Sequence, residues 1–134
     1  MKLIFCVEKN NGIMFFGKRQ TKDRLLNKHL LEIIGDSKLW VSSYSAELFE
    51  EAENVTIDDN YIEKADVNDY CFVEDKGFNL DATNEIILCN WNREYPADKF
   101  FEIDLSNNCF KKESTENIVG SSHKKITIER YVRG

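Results

Sequence analysis

Four cations crowd a single stretch of the chain: Lys18, Arg19, Lys22 and Arg24, just ahead of an apolar helical pattern. Basic side chains beside the free N–H groups of a helix start can hold a phosphate or a carboxylate. The same cluster also reads as a solvated basic edge on an acidic protein. Trp91 and Arg93 follow the most apolar run, and Tyr44, Trp40 and Tyr95 add aromatic surface. An indole and a guanidinium there can clamp a planar ligand, or pack the core rim. Ser121-Ser122-His123 sets hydroxyls beside an imidazole. If they lie in a strand, neighbouring side chains point opposite ways, so a turn is the expected use rather than a hydrolase pair.

Other chemistries lack their residues. His29 and His123 are the only histidines and have no short spacing, so a multi-histidine metal cluster cannot form, and no metal site is expected. Cys6, Cys71, Cys89 and Cys109 include no CxxC pair, and three lie in apolar runs, so packed, reduced thiols are expected. The chain has no G-x-G-x-x-G, no phosphate-loop signature and no G-x-S-x-G. Glu47, Glu50, Glu51 and Glu53 read as a solvated helix face.

These side chains need a scaffold, and the apolar pattern supplies one. Lys2 to Glu8 reads as a strand covered on both faces, and Asn10-Asn11-Gly12 as a turn. Leu26, Leu30, Ile33 and Ile34 recur at helical spacing, with Thr21 as the expected cap, Asp23 in the first turn and Gly35 as the stop. Further strands are expected at 37–42, 54–57, 70–74 and 85–92, a short helix capped by Ser45, and helical turns opened by Asp58 or Asp59. Strand-like pieces follow at 100–103 and from Cys109, and 125–132 alternates like a strand open to water on one face. The early β-α alternation predicts a mostly parallel sheet with helices on both faces, and the last strands an antiparallel extension. The expected architecture is a single mixed α/β domain spanning 1–134.

Composition narrows the partners. With 134 residues, 42% hydrophobic and 31% charged, the chain is neither disordered nor coiled coil. A net charge of −6 argues against nucleic acid. No apolar run reaches the roughly eighteen residues of a membrane helix, and the apolar stretch at the start is too short for a secretory signal. A cytoplasmic protein off the membrane is expected.

The order of elements resembles dihydrofolate reductase. Val7-Glu8-Lys9-Asn10-Asn11-Gly12-Ile13 resembles that family's first strand and loop, and 85–91 the strand before its closing pattern. Asp98-Lys99-Phe100-Phe101, Asp104, Ser122-His123 and the strand ending Glu129-Arg130-Tyr131-Val132-Arg133 are similar to that pattern itself. The resemblance places Asp23 at the family's substrate carboxylate, which binds the pterin ring. It places Ser42-Ser43-Tyr44-Ser45 at the Gly-Arg-x-Ser/Thr element that holds NADPH phosphates, here without the arginine. It places Glu74-Asp75 where the family has a Gly-Gly pair against the pyrophosphate, and two carboxylates there would repel it. The Pro-Trp pair expected before the helix is replaced within Lys18-Arg19-Gln20-Thr21. The cadence also resembles small clostridial proteins assigned to ribonuclease Z, but that implies a histidine-rich metal cluster, for which two histidines do not suffice.

Three functions remain open. The first is a protein with a degenerate NADPH site binding a small planar or anionic ligand through Arg19, Arg24, Ser43, Tyr44, Ser45, Trp91 and Arg93, with no cofactor expected. The second is a diverged NAD(P)H-dependent reductase using Asp23. The third is an acidic protein-interaction module. An open cleft between Asp23 and the end of the 85–92 strand favours the first two; a cleft packed shut favours the third.

Overall fold

The computed structural model describes residues 1–50 and 52–134. Glu51, in the acidic run noted above, lies outside the described residues. Seven strands form the main sheet: β1 (Lys2–Val7), β4 (Leu39–Val41), β5 (Val55–Ile57), β6 (Tyr70–Phe72), β7 (Glu85–Asn90), β9 (Phe110–Ile118) and β10 (Ile126–Arg133). Their spatial order is β5-β4-β6-β1-β7-β10-β9. The first five in spatial order pair in parallel. Strand β10 runs antiparallel to both β7 and β9. Both chain ends therefore lie in one mixed sheet, as the pattern predicts.

Burial explains the order. Leu3, Ile4, Phe5 and Val7 of β1 and Ile86, Ile87, Leu88 and Cys89 of β7 are all buried, so neither strand tolerates an edge. On one face, α1 (Arg24–Ile34) sends Leu26, Leu30 and Ile34 against Ile4, Ile87 and Phe72. On the other, Tyr61 of the one-turn α2 (Tyr61–Lys64) joins Leu3, Phe5 and Leu88. Each fully buried side chain of this size contributes roughly 1.5–3 kcal/mol.

A second sheet of three short strands stands apart: β2 (Gly12–Phe15), flanked by β3 (Lys18–Arg19) and β8 (Lys99–Phe100). The piece expected at 100–103 is thus only two residues of strand, with Phe101 and Ile103 beyond its end. Among the described residues no helix is long and apolar enough to cross a membrane.

Two caps differ from expectation. Asp23, not Thr21, caps α1: its backbone is extended and Oδ1 accepts the N–H groups of Leu25 and Leu26 at 3.1 Å each. Ser45 precedes the 3-10 turn Ala46–Phe49 without capping it, because its hydroxyl donates to Glu74 instead. The thiols also divide. Cys71 and Cys89 are buried and Cys6 half-buried, but Cys109 is exposed, since it sits in a left-handed turn ahead of β9 and outside the core.

Candidate functional site

The carboxylate of Asp23 is 1% exposed and surrounded by donors. Besides the two helix amides, Oδ1 accepts from the N–H of Ser121 at 2.9 Å and its hydroxyl at 3.1 Å. Oδ2 accepts from the N–H of Ser122 at 2.9 Å and its hydroxyl at 3.3 Å. The His123 ring completes the shell, Nδ1 lying 3.0 Å from Oδ2. Burial by itself would raise the carboxyl's pKa, but the Ser122 amide, His123, the Ser121 amide and the Leu26 amide together hold it well below the usual carboxylate range. An ionised carboxylate only accepts, so Nδ1 of His123 carries the proton of that bond. The turn joining β9 to β10 closes directly over Asp23. A Cβ on Gly120 would overlap the carboxylate.

His123 is itself buried and lies face to face with Trp91, ring centroids 4.5 Å apart. Its Nε2 is 3.0 Å from the Tyr95 hydroxyl. A buried carboxylate, a buried imidazole and a half-buried phenol thus follow one another, and the Trp91 face suited to a planar ligand is covered by the chain's own ring. Ser122 Oγ lies 3.2 Å from Nδ1, closer than a strand geometry allows, because β10 begins only at Ile126 and Ser122 lies in the turn. Both groups are spent on Asp23. Nothing in the spacing of Asp23, Tyr95 and His123 announces this stack; Ser-Ser-His before the last strand was its one visible trace.

The amides of the helix start are also used internally. The Arg24 N–H donates to Ser121 Oγ at 3.1 Å, and the Asn27 N–H to the Asp23 carbonyl at 3.1 Å. With the Leu25 and Leu26 amides on Asp23, the first turn presents no free donor to an outside anion.

The segment after β4 meets the corner after β6. Glu74 accepts a forked pair from Arg19, Nε to Oε2 and Nη2 to Oε1, each 2.9 Å. Ser45 Oγ donates to the same carboxylate at 2.8 Å. Ser42 Oγ donates to Asp75 at 2.8 Å, and Ser43 gives its N–H and hydroxyl to Asp59 at 2.9–3.0 Å. The Tyr44 ring lies under the Arg19 guanidinium, 4.4 Å from centroid to carbon. The hydroxyls that the resemblance assigns to cofactor phosphates therefore bind the chain's own carboxylates. Between these groups and Trp91, the space lined by Cys6, Ile13, Thr21 and Val73 has a volume of about 10 Å³, about what one water molecule needs and too little for a ring system.

Of the residues singled out in the sequence, the fold joins Arg19, Tyr44 and Ser45 around Glu74. It sets Asp23 beside the His123 that covers Trp91, and leaves Ser43 and Arg93 exposed. Arg24 stands elsewhere, with Lys22 and Lys28, on the wall of an open groove between α1 and the 46–49 turn; its volume is about 660 Å³ and Leu31, Leu48 and Phe49 also line it. Among the described residues no three His, Cys, Asp or Glu side chains converge as a metal site.

The topology and helix placement make this a dihydrofolate reductase-like fold, diverged in sequence. A solved structure of dihydrofolate reductase from Enterococcus faecalis, complexed with NADP(H) and RAB-propyl, matches it with a TM-score of 0.65 at 18% identity, covering 99% of this chain and 95% of that one. No protein-family model matches the sequence. No curated protein matches it either.

Proposed function

We propose that this chain is a single-domain binding protein on a dihydrofolate reductase-like scaffold, taking a small anionic or planar ligand in the groove between α1 and the 46–49 turn, without NADPH chemistry. The observation that carries this reading is the open groove of about 660 Å³ with Lys22, Arg24 and Lys28 on its wall, and the tight space between Glu74, Arg19 and Trp91 argues against a cofactor. A ring system and a dinucleotide have no room there unless a buried ion pair is broken. Asp23, held as a carboxylate with every oxygen engaged, is poorly placed to deliver a proton. The groove is open instead, with exposed Lys22, Arg24 and Lys28 on its α1 side, Glu47 and Glu50 on the other, and Leu31, Leu48 and Phe49 between them, so cations outnumber carboxylates at its α1 wall. That combination suits a ligand with a flat apolar body and an anionic end.

Thermal-shift and titration measurements with pterins, aromatic carboxylates, nucleotides, NADH and NADPH test the reading. Stabilisation by a planar anion, lost in Arg24→Ala/Lys28→Ala, is the expected result. Micromolar NADPH affinity, or NADPH oxidation with any pterin, would overturn it in favour of a diverged reductase.

A second reading, a protein-interaction module, is favoured by the closed cleft and by Phe15, Phe16 and Phe100, all exposed on the small three-stranded sheet. Phe16 is 78% exposed. Affinity capture with wild-type chain and Phe16→Ser as bait separates the two: a partner retained by the first bait and lost by the second supports this reading.

A further inference from the structure

The Arg19 side chain is held as a ligand is held. Its Nε and Nη2 fork onto the two Glu74 oxygens, Nη1 bonds Glu47, and Nη2 also reaches the Tyr44 carbonyl at 3.2 Å. The flat of the guanidinium covers the Tyr44 ring. Three nitrogens with oxygen acceptors, one forked carboxylate and one aromatic face form a full recognition set for a guanidinium. An ammonium matches neither the fork nor the stacked plane. The seat is well built: the Glu74 side chain is 9% exposed and braced from behind by Ser45.

Seat and guest belong to different parts of the fold. Tyr44, Ser45, Glu47 and Glu74 follow two neighbouring parallel strands of the main sheet, β4 and β6. Arg19 arrives on β3, a two-residue strand of the small sheet. The turn that carries it, Phe16-Gly17, has positive φ at both residues, 50° and 72°. Glycine adopts this freely, but a phenylalanine there is strained. The Phe16 ring gains little burial in return, and its N–H bond to Asp98 at 3.0 Å ties down the tip. The guest thus sits on the shorter, strained element, whose own backbone is joined to the seat by one further bond, from the Arg19 N–H to the Tyr44 hydroxyl at 2.8 Å.

We propose that Tyr44, Glu47 and Glu74 form a guanidinium-binding site, and that Arg19 is its tethered internal occupant, exchangeable with an external guanidino compound or arginine side chain. Glu47 is shared with the wall of the α1 groove, but Tyr44 and Glu74 are not, so a substitution at Glu74 reads this site apart from that groove. Removing Arg19 leaves the nearly buried Glu74 carboxylate and the half-exposed Glu47 carboxylate without their shared cation, in a chain already at −6, so the vacated seat favours a cation.

Calorimetry and thermal shift on wild type, Arg19→Ala and Arg19→Ala/Glu74→Gln test this, with agmatine, a short blocked Gly-Arg-Gly peptide, and cadaverine as the ammonium control. The expected result is that Arg19→Ala melts lower than wild type and is restored by agmatine but not by cadaverine. Agmatine should bind Arg19→Ala at least tenfold more tightly than wild type, where Arg19 competes, and the double variant should not respond. The tighter of agmatine and peptide names the source of the guanidinium. Equal responses to agmatine and cadaverine overturn the site. Equal affinity for wild type and variant also overturns it. No wild-type binding at a hundredfold excess over the variant's Kd overturns the exchange. Should Arg19→Ala fail to fold, Arg19→Gln keeps the apolar stem and is read by the same criteria.

Discussion

Asp23→Asn separates a carboxylate kept for chemistry from one kept for structure. The amide oxygen, placed at Oδ1, still accepts from Leu25, Leu26 and Ser121. The amide NH2 then falls at Oδ2, where it faces the Ser122 N–H, another donor. His123 can adapt by moving its proton to Nε2 and donating to Tyr95, but a backbone N–H cannot adapt. One buried N–H left without an acceptor costs about 1–3 kcal/mol, and the lost charge-assisted bonds bring the expected total to about 3 kcal/mol. For a chain of this length that is a fall in Tm of about 10 °C. Asp23→Ala removes every acceptor and the helix cap together, and should cost about 4–5 kcal/mol. Urea unfolding followed by circular dichroism measures both. An Asp23→Asn variant within about 0.5 kcal/mol of wild type would refute the structural account and return Asp23 to candidacy as a ligand group.

Acid should expose the same bond set. The folded carboxyl of Asp23 lies well below its unfolded value of about 4, so its stabilisation is complete above that pH and is lost as pH falls through the folded value. Melting curves from pH 7 to pH 2 should fall more steeply below about pH 4 for wild type than for Asp23→Asn; parallel curves would contradict this. Gly120→Ala drives a methyl group into that carboxylate and should destabilise by about 2–3 kcal/mol, measured by the same unfolding assay. Glu74→Ala leaves Arg19 without its forked partner and should cost about 3 kcal/mol, without creating NADPH affinity, because Ser43 and Asp59 remain joined. Thiol labelling at pH 8 should modify Cys109 first, since it is exposed. Cys71, whose thiol burial pushes up to about 12, should react only on unfolding. Equal rates for the two would place Cys71 outside the core.

The amino-acid pattern alone determined the scaffold. Continuous apolar runs at 3–7 and 86–89 require strands covered on both faces, and the Leu26, Leu30, Ile34 stripe requires a helix with one buried side. These are local periodicities, legible one segment at a time, and together they select a mixed sheet with antiparallel closing strands. The carboxylate pair Glu74-Asp75 was legible for the same reason, since it follows a recognisable strand. What Asp23, Arg19 and Trp91 do was decided only by the tertiary structure. Asp23 meets Ser121 to His123 across about a hundred positions, and Arg19 meets Glu74 across 55. A lone carboxylate looks the same in sequence whether it faces an open cleft or a turn that closes over it. Only packing sets the distance of its donors, and at 3 Å in a dry interior those donors turn a candidate acid into a fixed anion.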